Sequence, residues 1–319
     1  MRIQKAIARV PASTTNLGSG FDTLGLAIQL YSTIELEKTR DGLEICVKGE
    51  SADKIPSDTT NLAYVAAKEV FDRANKKFDG FRITLTNGIP PSRGLGGSGT
   101  AILGGLLTAN LFCGNLLSKA EILKLATKIE GHPDNVSASL LGGFVVSCMD
   151  GEEVHCIKLP FPDEIKLAFV VPDFTLSTEK ARSILPKKVT LEDAVYNISR
   201  SSLLVAAVSS GKFEFLSVSM RDRLHQNYRT ALIPGLADVF EAGQSAGALS
   251  VVLSGAGPTA VAFCKENAQS IAIEMQKAFL KKGINSEIKI LSADSQGADR
   301  PLICPEQTWI GKSTTPCRI

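Results

Sequence analysis

Apolar and polar residues alternate along Ile3–Arg9, Thr33–Glu37, Leu43–Lys48 and Phe81–Thr86, the two-residue period of strands with one buried face. Between them the period changes. From Asn61 to Ala74 the positions Leu62, Val65, Ala66, Val70 and Phe71 recur at helical spacing. Ser118–Ile129 repeats the pattern behind the capping box Ser118-x-x-Glu121. The segment "LGGFVVSCMDGEEVHCIKLPFPDEIKLAFVVP" reads as short strands broken by turn residues. Helices are then expected at Thr178–Leu185, Leu191–Ser209 and Phe213–Arg223. "LSVVLSGAGPTAVAFC" reads as strand, glycine turn, strand, followed by a helix over Ala268–Lys281 and a strand over Ser286–Leu291. Strands and helices in both halves, without regular βαβ alternation, predict an α+β architecture rather than a doubly wound sheet. From Ser295 onward the periodicity is lost, and a poorly ordered or surface-lying tail is expected.

A chain of 319 residues is long for one core and is expected to form two domains, 1–160 and 161–295, with a tail of unknown role over 296–319. With 44% hydrophobic and 21% charged residues it lies far from the composition of disordered chains. A net charge of +2 favours neither nucleic acid nor an anionic membrane as partner, so any anion site must be local. The seven cysteines are odd in number, scattered and free of C-x-x-C, which fits a reducing, cytoplasmic setting. The opening "MRIQKAIARV" lacks the apolar run of a signal peptide, and Ala101–Cys113 is glycine-interrupted and too short to span a bilayer. The three histidines, His132, His155 and His225, show no spacing that would build a zinc site.

The chemistry is concentrated where side chains are smallest. "PPSRGLGGSGTAILGG", Pro90–Gly105, sets four glycines and Ser98 among the six residues Gly94–Gly99 and then turns apolar. Glycine lets backbone approach a ligand closely, and successive N–H groups at a helix start cradle anions, so the stretch reads as a phosphate loop. It satisfies G-x-G-x-x-G, but the prolines of "NGIPPSR" separate the preceding strand from the first glycine, which argues against a dinucleotide-binding turn. The lysine of a Walker A loop is missing. Alone, the stretch could equally be a tight turn packing a helix on a sheet. Three further clusters accompany it: "VPASTTNLGSGFDTLGLAI" with Asn16 and Asp22, "EGHPDNVSASLLGG" with Glu130, His132, Asp134 and Asn135, and the glycine turn of "LSGAGPTAVAF".

With these segments the sequence resembles the GHMP small-molecule kinases. The three motifs of that superfamily stand in order: "PASTTNLGSGFDTLGLAI", "PPSRGLGGSGTA" and "LSGAGPTAVAF". "EGHPDNV", "STEKARSILP" and "HQNYRTALIPGL" make it most similar to the homoserine kinases, over roughly residues 7 to 295. The resemblance implies a ribosomal S5-like N-terminal domain that binds ATP and a ferredoxin-like C-terminal domain. It further implies Mg2+ as cofactor, L-homoserine as substrate, O-phospho-L-homoserine for threonine synthesis as product, and a homodimer. Residue by residue, Pro91, Ser92, Arg93, Gly94, Leu95, Gly96, Gly97, Ser98, Gly99 and Thr100 match the nucleotide loop. Ser98 and Glu130 match the metal ligands. Asn16, Asp22, His132, Thr178, Arg182, Arg229 and Gly255 match the acceptor site, arginine being suited to a bidentate carboxylate clamp. Thr178 also reads as the cap of the helix carrying Arg182.

The loop is usually G-L-G-S-S-A in such kinases; here Gly97 and Gly99 replace the first serine and the alanine, and Ser98 survives. Related kinases place an aspartate base near this "PDN", where Asn135 rather than Asp134 aligns with the base position. An amide cannot take a proton, so the reading is direct transfer, with Asn135 orienting the hydroxyl and its proton passing to the γ-phosphoryl group. Three alternatives stay open on the sequence: a kinase of another small alcohol, a non-catalytic ligand-binding relative, and an NAD-dependent oxidoreductase.

Overall fold

The computed structural model describes residues 3–76, 79–298 and 302–305. The first part runs β1 (Ile3–Thr15), β2 (Leu24–Thr39), β3 (Gly42–Gly49), α1 (Leu62–Arg73), β4 (Gly80–Asn87), α2 (Gly97–Phe112), α3 (Lys119–Glu130), α4 (Pro133–Leu141), β5 (Phe144–Asp150) and β6 (Glu153–Leu159). The second runs β7 (Lys166–Pro172), α5 (Thr178–Ser183), α6 (Leu191–Ser210), α7 (Leu216–Ser219), α8 (Gln226–Arg229), α9 (Leu236–Ser245), β8 (Ser250–Leu253), β9 (Ala260–Cys264), α10 (Ala268–Leu280) and β10 (Ser286–Leu291), and β11 (Leu302–Pro305) closes the order.

Seven strands form the first sheet, in the order β11-β1-β2-β4-β3, with β5 bonded to β2 and β6 to β5. The other four form an antiparallel sheet ordered β10-β7-β9-β8. Counted along the chain this is 4-1-3-2 with α9 and α10 on one face, the ferredoxin-like arrangement. The expected α+β architecture with two different halves is what the chain adopts.

The two sheets share a core. Along β1 only alternate residues Ala6, Ala8 and Val10 are fully buried, and beyond a register shift at Pro11/Ala12 every residue is. The reason is the second half, which covers the other face there: Ala12, Leu24, Leu26 and Ile28 pack in one cluster with Phe169, Val171, Val261 and Phe263. This packing holds the phosphate-loop half against the half that carries Arg182 and Arg229.

Behind the first sheet lies α2, apolar on all sides and buried from Gly99 to Leu106. A helix of this kind must be enclosed. Its small residues allow the enclosure: a Cβ on Gly104 would overlap the Ile34 side chain, and one on Gly105 would overlap the Ala63 carbonyl oxygen of α1.

Three expectations need correction. The helix over Phe213–Arg223 is a 3-10 turn over Phe213–Phe215 followed by α7, and it stops because the Asp222 carboxylate captures the N–H groups of Leu224, His225 and Gln226 to open α8. The helices α4 and α9 went unread; both are short and follow a Pro or a Gly that reads as a break. The expected aperiodic tail does not begin at Ser295. Tyr31 donates to Asp294 at 2.7 Å, the Ala298 N–H donates to the Ser139 carbonyl, and Leu302–Pro305 pairs antiparallel with the Ile3–Ile7 edge of β1, whose backbone groups supply the partner. The remainder of that expectation, on residues 299–301 and 306–319, lies outside the described residues.

Gly105→Ala tests the α1–α2 contact. Alanine gains about 1 kcal/mol of helix propensity, but overlap with a backbone carbonyl forces the helices apart at about 1–3 kcal/mol. A net fall in Tm is expected in a thermal scan; an unchanged or raised Tm would show that the helices do not approach so closely.

Candidate active site

One cavity of about 380 Å3 lies where the two halves meet. Its wall includes every residue singled out as a site candidate except Gly99.

The phosphate loop enters α2 through left-handed backbone at Ser92, Gly94 and Gly96, with φ of 54°, 77° and 70°. Gly96 has a second constraint, since a Cβ there would press on Ser13 and Asn135. The 16-residue α2 then presents its first-turn N–H groups, which have no partner within a helix, at the cavity. Pro91, Arg93, Leu95, Gly97 and Thr100 line it too, and the Arg93 side chain already has protein partners. Its guanidinium donates to the carbonyls of Pro172 and Asp173 and so ties the loop to the end of β7. Gly99, in the first turn of α2, is not part of the cavity wall, and a Cβ there would lie 3.3 Å from Val136 Cγ1, so the position also serves α2–α4 packing. Gly97 is open, with only Ile89 Cγ2 within reach of a Cβ, at 3.6 Å.

On the first turn of α2 the Ser98 hydroxyl donates to Glu130 Oε1 at 2.6 Å. Glu130 is the last residue of α3, which the Ser118–Glu121 capping box opens as expected. Burial pushes the Glu130 carboxyl above its usual range, against the Ser98 hydrogen bond and the nearby His132. A hydroxyl and a carboxylate together offer hard oxygen donors, of the type that takes magnesium with one or two protein ligands.

The start of α4 supplies the next group. His132 Nδ1 lies 2.6 Å from Asp134 Oδ1, which also accepts the Asn135 N–H at 2.9 Å. Burial disfavours the charged imidazole, but the Asp134 hydrogen bond and charge outweigh it, and the His132 pKa is raised. Asn135 Oδ1 accepts the Ser13 hydroxyl at 2.9 Å, so the Asn135 amide turns its N–H2 face toward any further partner.

The arginines are held differently from one another. Arg182 grips Asp22 with two hydrogen bonds, at 2.6 and 2.8 Å, and the Asp22, His132 and Asp134 ligand atoms lie within 4.8 Å of one another. Arg229 is buried, with Nη1 donating to the Gly255 carbonyl and to His225 Nδ1, and Nε to the Ala181 carbonyl. Its pKa is pushed down to about 10, by burial and then by Arg182, so it stays charged at neutral pH. Because His225 Nδ1 accepts from Arg229, its Nε2 must donate to the Gly18 carbonyl, 2.8 Å away. Burial lowers the His225 pKa and keeps this neutral form. The Phe21 ring centroid lies 5.4 Å from each guanidinium carbon, within cation–π range of both.

Asn16 completes the junction: its Nδ2 donates to the Gly255 carbonyl and its Oδ1 accepts the Asp22 N–H. Thr178 lines the cavity as the first residue of α5, while the cap is Ser177, whose hydroxyl accepts the Lys180 N–H. The reading of Thr178 as a cap is thereby corrected by one residue.

Sequence reasoning missed one wall, formed by Lys54, Ile55, Pro56, Asn61 and Leu62. Its only signal was the apolar pair Ile55-Pro56 inside a polar loop. Asn61 caps α1 and also donates to the Pro56 carbonyl, which shapes the loop. Among the described residues, Lys54 is the lining lysine or arginine whose side chain has neither a hydrogen bond nor an ion pair, whereas Arg93 and Arg229 are hydrogen-bonded and Arg182 is ion-paired.

Comparison with known proteins gives the family of the chain. Residues 61–143 match the GHMP kinases N terminal domain and residues 206–281 the GHMP kinases C terminal domain. The homoserine kinase of Moorella thermoacetica is 44% identical over 292 residues, covering 92% of this chain and 98% of that one. That of Carboxydothermus hydrogenoformans is 43% identical over 289 residues, 91% and 94% of the two chains. Among solved structures, homoserine kinase from Cytophaga hutchinsonii superposes with a TM-score of 0.84 at 29% identity, covering 95% of this chain and 98% of that one. A glycine loop on a helix start, its serine–glutamate pair and the arginine–aspartate pocket beside them therefore sit in a shared sequence and a shared fold: the chain belongs to the homoserine kinase family of the GHMP kinases.

Proposed function

We propose that the chain transfers the γ-phosphoryl group of ATP to the side-chain hydroxyl of L-homoserine, giving O-phospho-L-homoserine and ADP in threonine synthesis. The carrying observation is that one cavity holds both the Ser98–Glu130 pair on a helix start and the Asp22–Arg182, Asp134 and Arg229 cluster. Phosphoryl transfer needs positioning and charge neutralisation more than covalent chemistry. The α2 N–H groups hold the phosphates, and Ile55, Pro56 and Leu62 offer a purine an apolar wall. Ser98 and Glu130 would hold Mg2+, which supplies neutralisation of the polyphosphate charge.

Asp22 and Arg182 form a paired dipole that lines the cavity. An α-amino acid headgroup is the complementary dipole, its ammonium set on Asp22 and Asp134 and its carboxylate on Arg182 and the buried Arg229. A sugar or a simple alcohol carries no such pair of charges. Asn135, its oxygen already bonded to Ser13, donates to the acceptor oxygen and aims it. The acceptor oxygen then bonds to phosphorus as the β–γ bridging bond breaks, ADP leaves, and the hydroxyl proton passes to an oxygen of the transferred group. Asp134 keeps His132 and the Asn135 N–H in place. We also place the enzyme in the cytoplasm and expect it to act as a homodimer; no helix among the described residues is long and apolar enough to cross a membrane.

The direct test is ADP release from ATP and magnesium with L-homoserine, L-serine, L-threonine, mevalonate and galactose offered separately. Turnover confined to homoserine is expected; turnover on another alcohol alone overturns the acceptor. Glu130→Gln should lower kcat/KM by about 100-fold or more, with partial recovery at high magnesium. Asn135→Ala is expected to lower kcat by about 10- to 100-fold. If it leaves kcat intact, Asn135 does not orient the hydroxyl. A loss of several orders of magnitude in Asp134→Asn alone would instead make that carboxylate the base. Finally, Gly97→Ser meets no clash and restores a hydroxyl at the phosphates, so a lower KM for ATP is expected; an unchanged KM would mean that backbone donors suffice.

A further inference from the structure

A second cavity, of about 350 Å3, lies in the C-terminal half beside α8, bounded by the edge strand β8, by α9 and by the turn from α7 into α8. Its volume is that of a small-ligand site. Among the described residues none lines both this cavity and the active site. What sets it apart is a group of buried donors without partners. Gln226 is 6% and Ser250 3% exposed, and both line the cavity. The Gln226 Oε1 accepts the Leu253 N–H at 2.8 Å, which fixes the amide, and among the described residues nothing accepts from its Nε2. The Ser250 hydroxyl is likewise without a partner there. Val251 adds a third donor. In the β8–β9 ladder the Ser254 N–H donates to Thr259 while the Leu253 N–H turns away from β9 to Gln226, so antiparallel alternation turns the Val251 N–H to the same outer edge.

Buried polar groups in folded proteins almost always find a partner, so three donors gathered on one wall call for an acceptor from outside the chain. The acid in the wall does not change this. Asp222 Oδ1 already accepts from Asn197 Nδ2 and the Leu224 N–H, and Oδ2 from the N–H groups of His225 and Gln226, four bonds that fill both oxygens. A ligand ammonium therefore finds no free carboxylate there. At the rim the Arg221 Nε donates to the Ser217 carbonyl, and both Nη groups are without partners among the described residues. Arg223, by contrast, is ion-paired with Glu192 and Asp193. Phe240, Met220 and Ala237 make the rest of the wall apolar.

We propose that this cavity is a second ligand site, for a small 2-oxo acid. The adjacent carboxylate and oxo oxygens accept from Arg221 and from the buried donors of Gln226, Ser250 and Val251, and the carbon chain packs on Phe240 and Met220. The guanidinium supplies the charge-assisted bond that a carboxylate needs. The amino acid of the same skeleton puts an ammonium where the oxo group would sit, among donors, and is rejected. The inference goes beyond the proposed reaction and does not depend on it.

The experiment titrates the full chain with 3-methyl-2-oxobutanoate and with L-valine, which share a carbon skeleton, and reads binding by saturation-transfer NMR. The oxo acid is expected to bind with a Kd of about 1 mM, and L-valine at least about 10-fold more weakly. Arg221→Met removes the rim cation and Ala237→Trp fills the space, both at exposed positions. Each should weaken the oxo acid by about 10-fold or more with an unchanged Tm, the second variant serving should the first melt early. Arg182→Met, in the active-site cavity, should leave that affinity as it is. No binding to the wild type at about 20 mM, equal binding of L-valine, or binding that survives both Arg221→Met and Ala237→Trp overturns the proposal. So does a loss confined to Arg182→Met, which would put the acid at the active site instead.

Discussion

The site depends on the meeting of two glycine turns from opposite halves of the chain. A Cβ on Gly94 would overlap the Ser254 carbonyl, and the Ser254 hydroxyl donates to the Gly94 carbonyl at 2.7 Å. One residue on, the Gly255 N–H donates to the Thr15 carbonyl, while its own carbonyl accepts from Asn16 and from Arg229. Backbone this close admits no side chain, so the phosphate loop, the first motif and the acceptor arginine are referenced to one another through main-chain atoms. Main-chain atoms have little freedom once the flanking strands are packed. The relative placement of the two glycine turns is set there.

Around this joint the protein buries charge that water would otherwise solvate. Arg229 heads the fully buried side chains among the described residues in size. It is tolerable because two carbonyls and a neutral imidazole take its hydrogen bonds, and because acids stand near its partner Arg182. A buried, pre-bonded guanidinium does not reorganise when an anion arrives, and a half-exposed one such as Arg182 does. The pair thus combines a rigid anchor with an adjustable one, suited to a short zwitterion whose far end must reach a phosphoryl group.

Much of this was legible in the sequence. The alternating and helical periods located most strands and α1, α3, α6 and α10, because each presents one face to the core. The four clusters and the arginines could be assigned to one site because motif order and residue type carried the information. The lost parts share a cause: their reasons lie in distant partners. Arg93 was read with the loop it sits in, yet its side chain answers to carbonyls of β7. Gly99 was read for its backbone N–H alone, and the approach of Val136 adds a packing reason for the missing side chain that the sequence does not show. The wall at Ile55 and Pro56 and the short helices α4 and α9 have no period of their own; packing alone gives them their place.

The pairing of Leu302–Pro305 with Ile3–Ile7 brings two segments far apart in the sequence into one ladder. During synthesis β1 is made long before β11, and its outer edge stays unpaired in between. The sheet begun first is completed last. Until β11 docks, that edge is a template for any passing strand, so the step that finishes the fold also removes a route to misassembly on the ribosome.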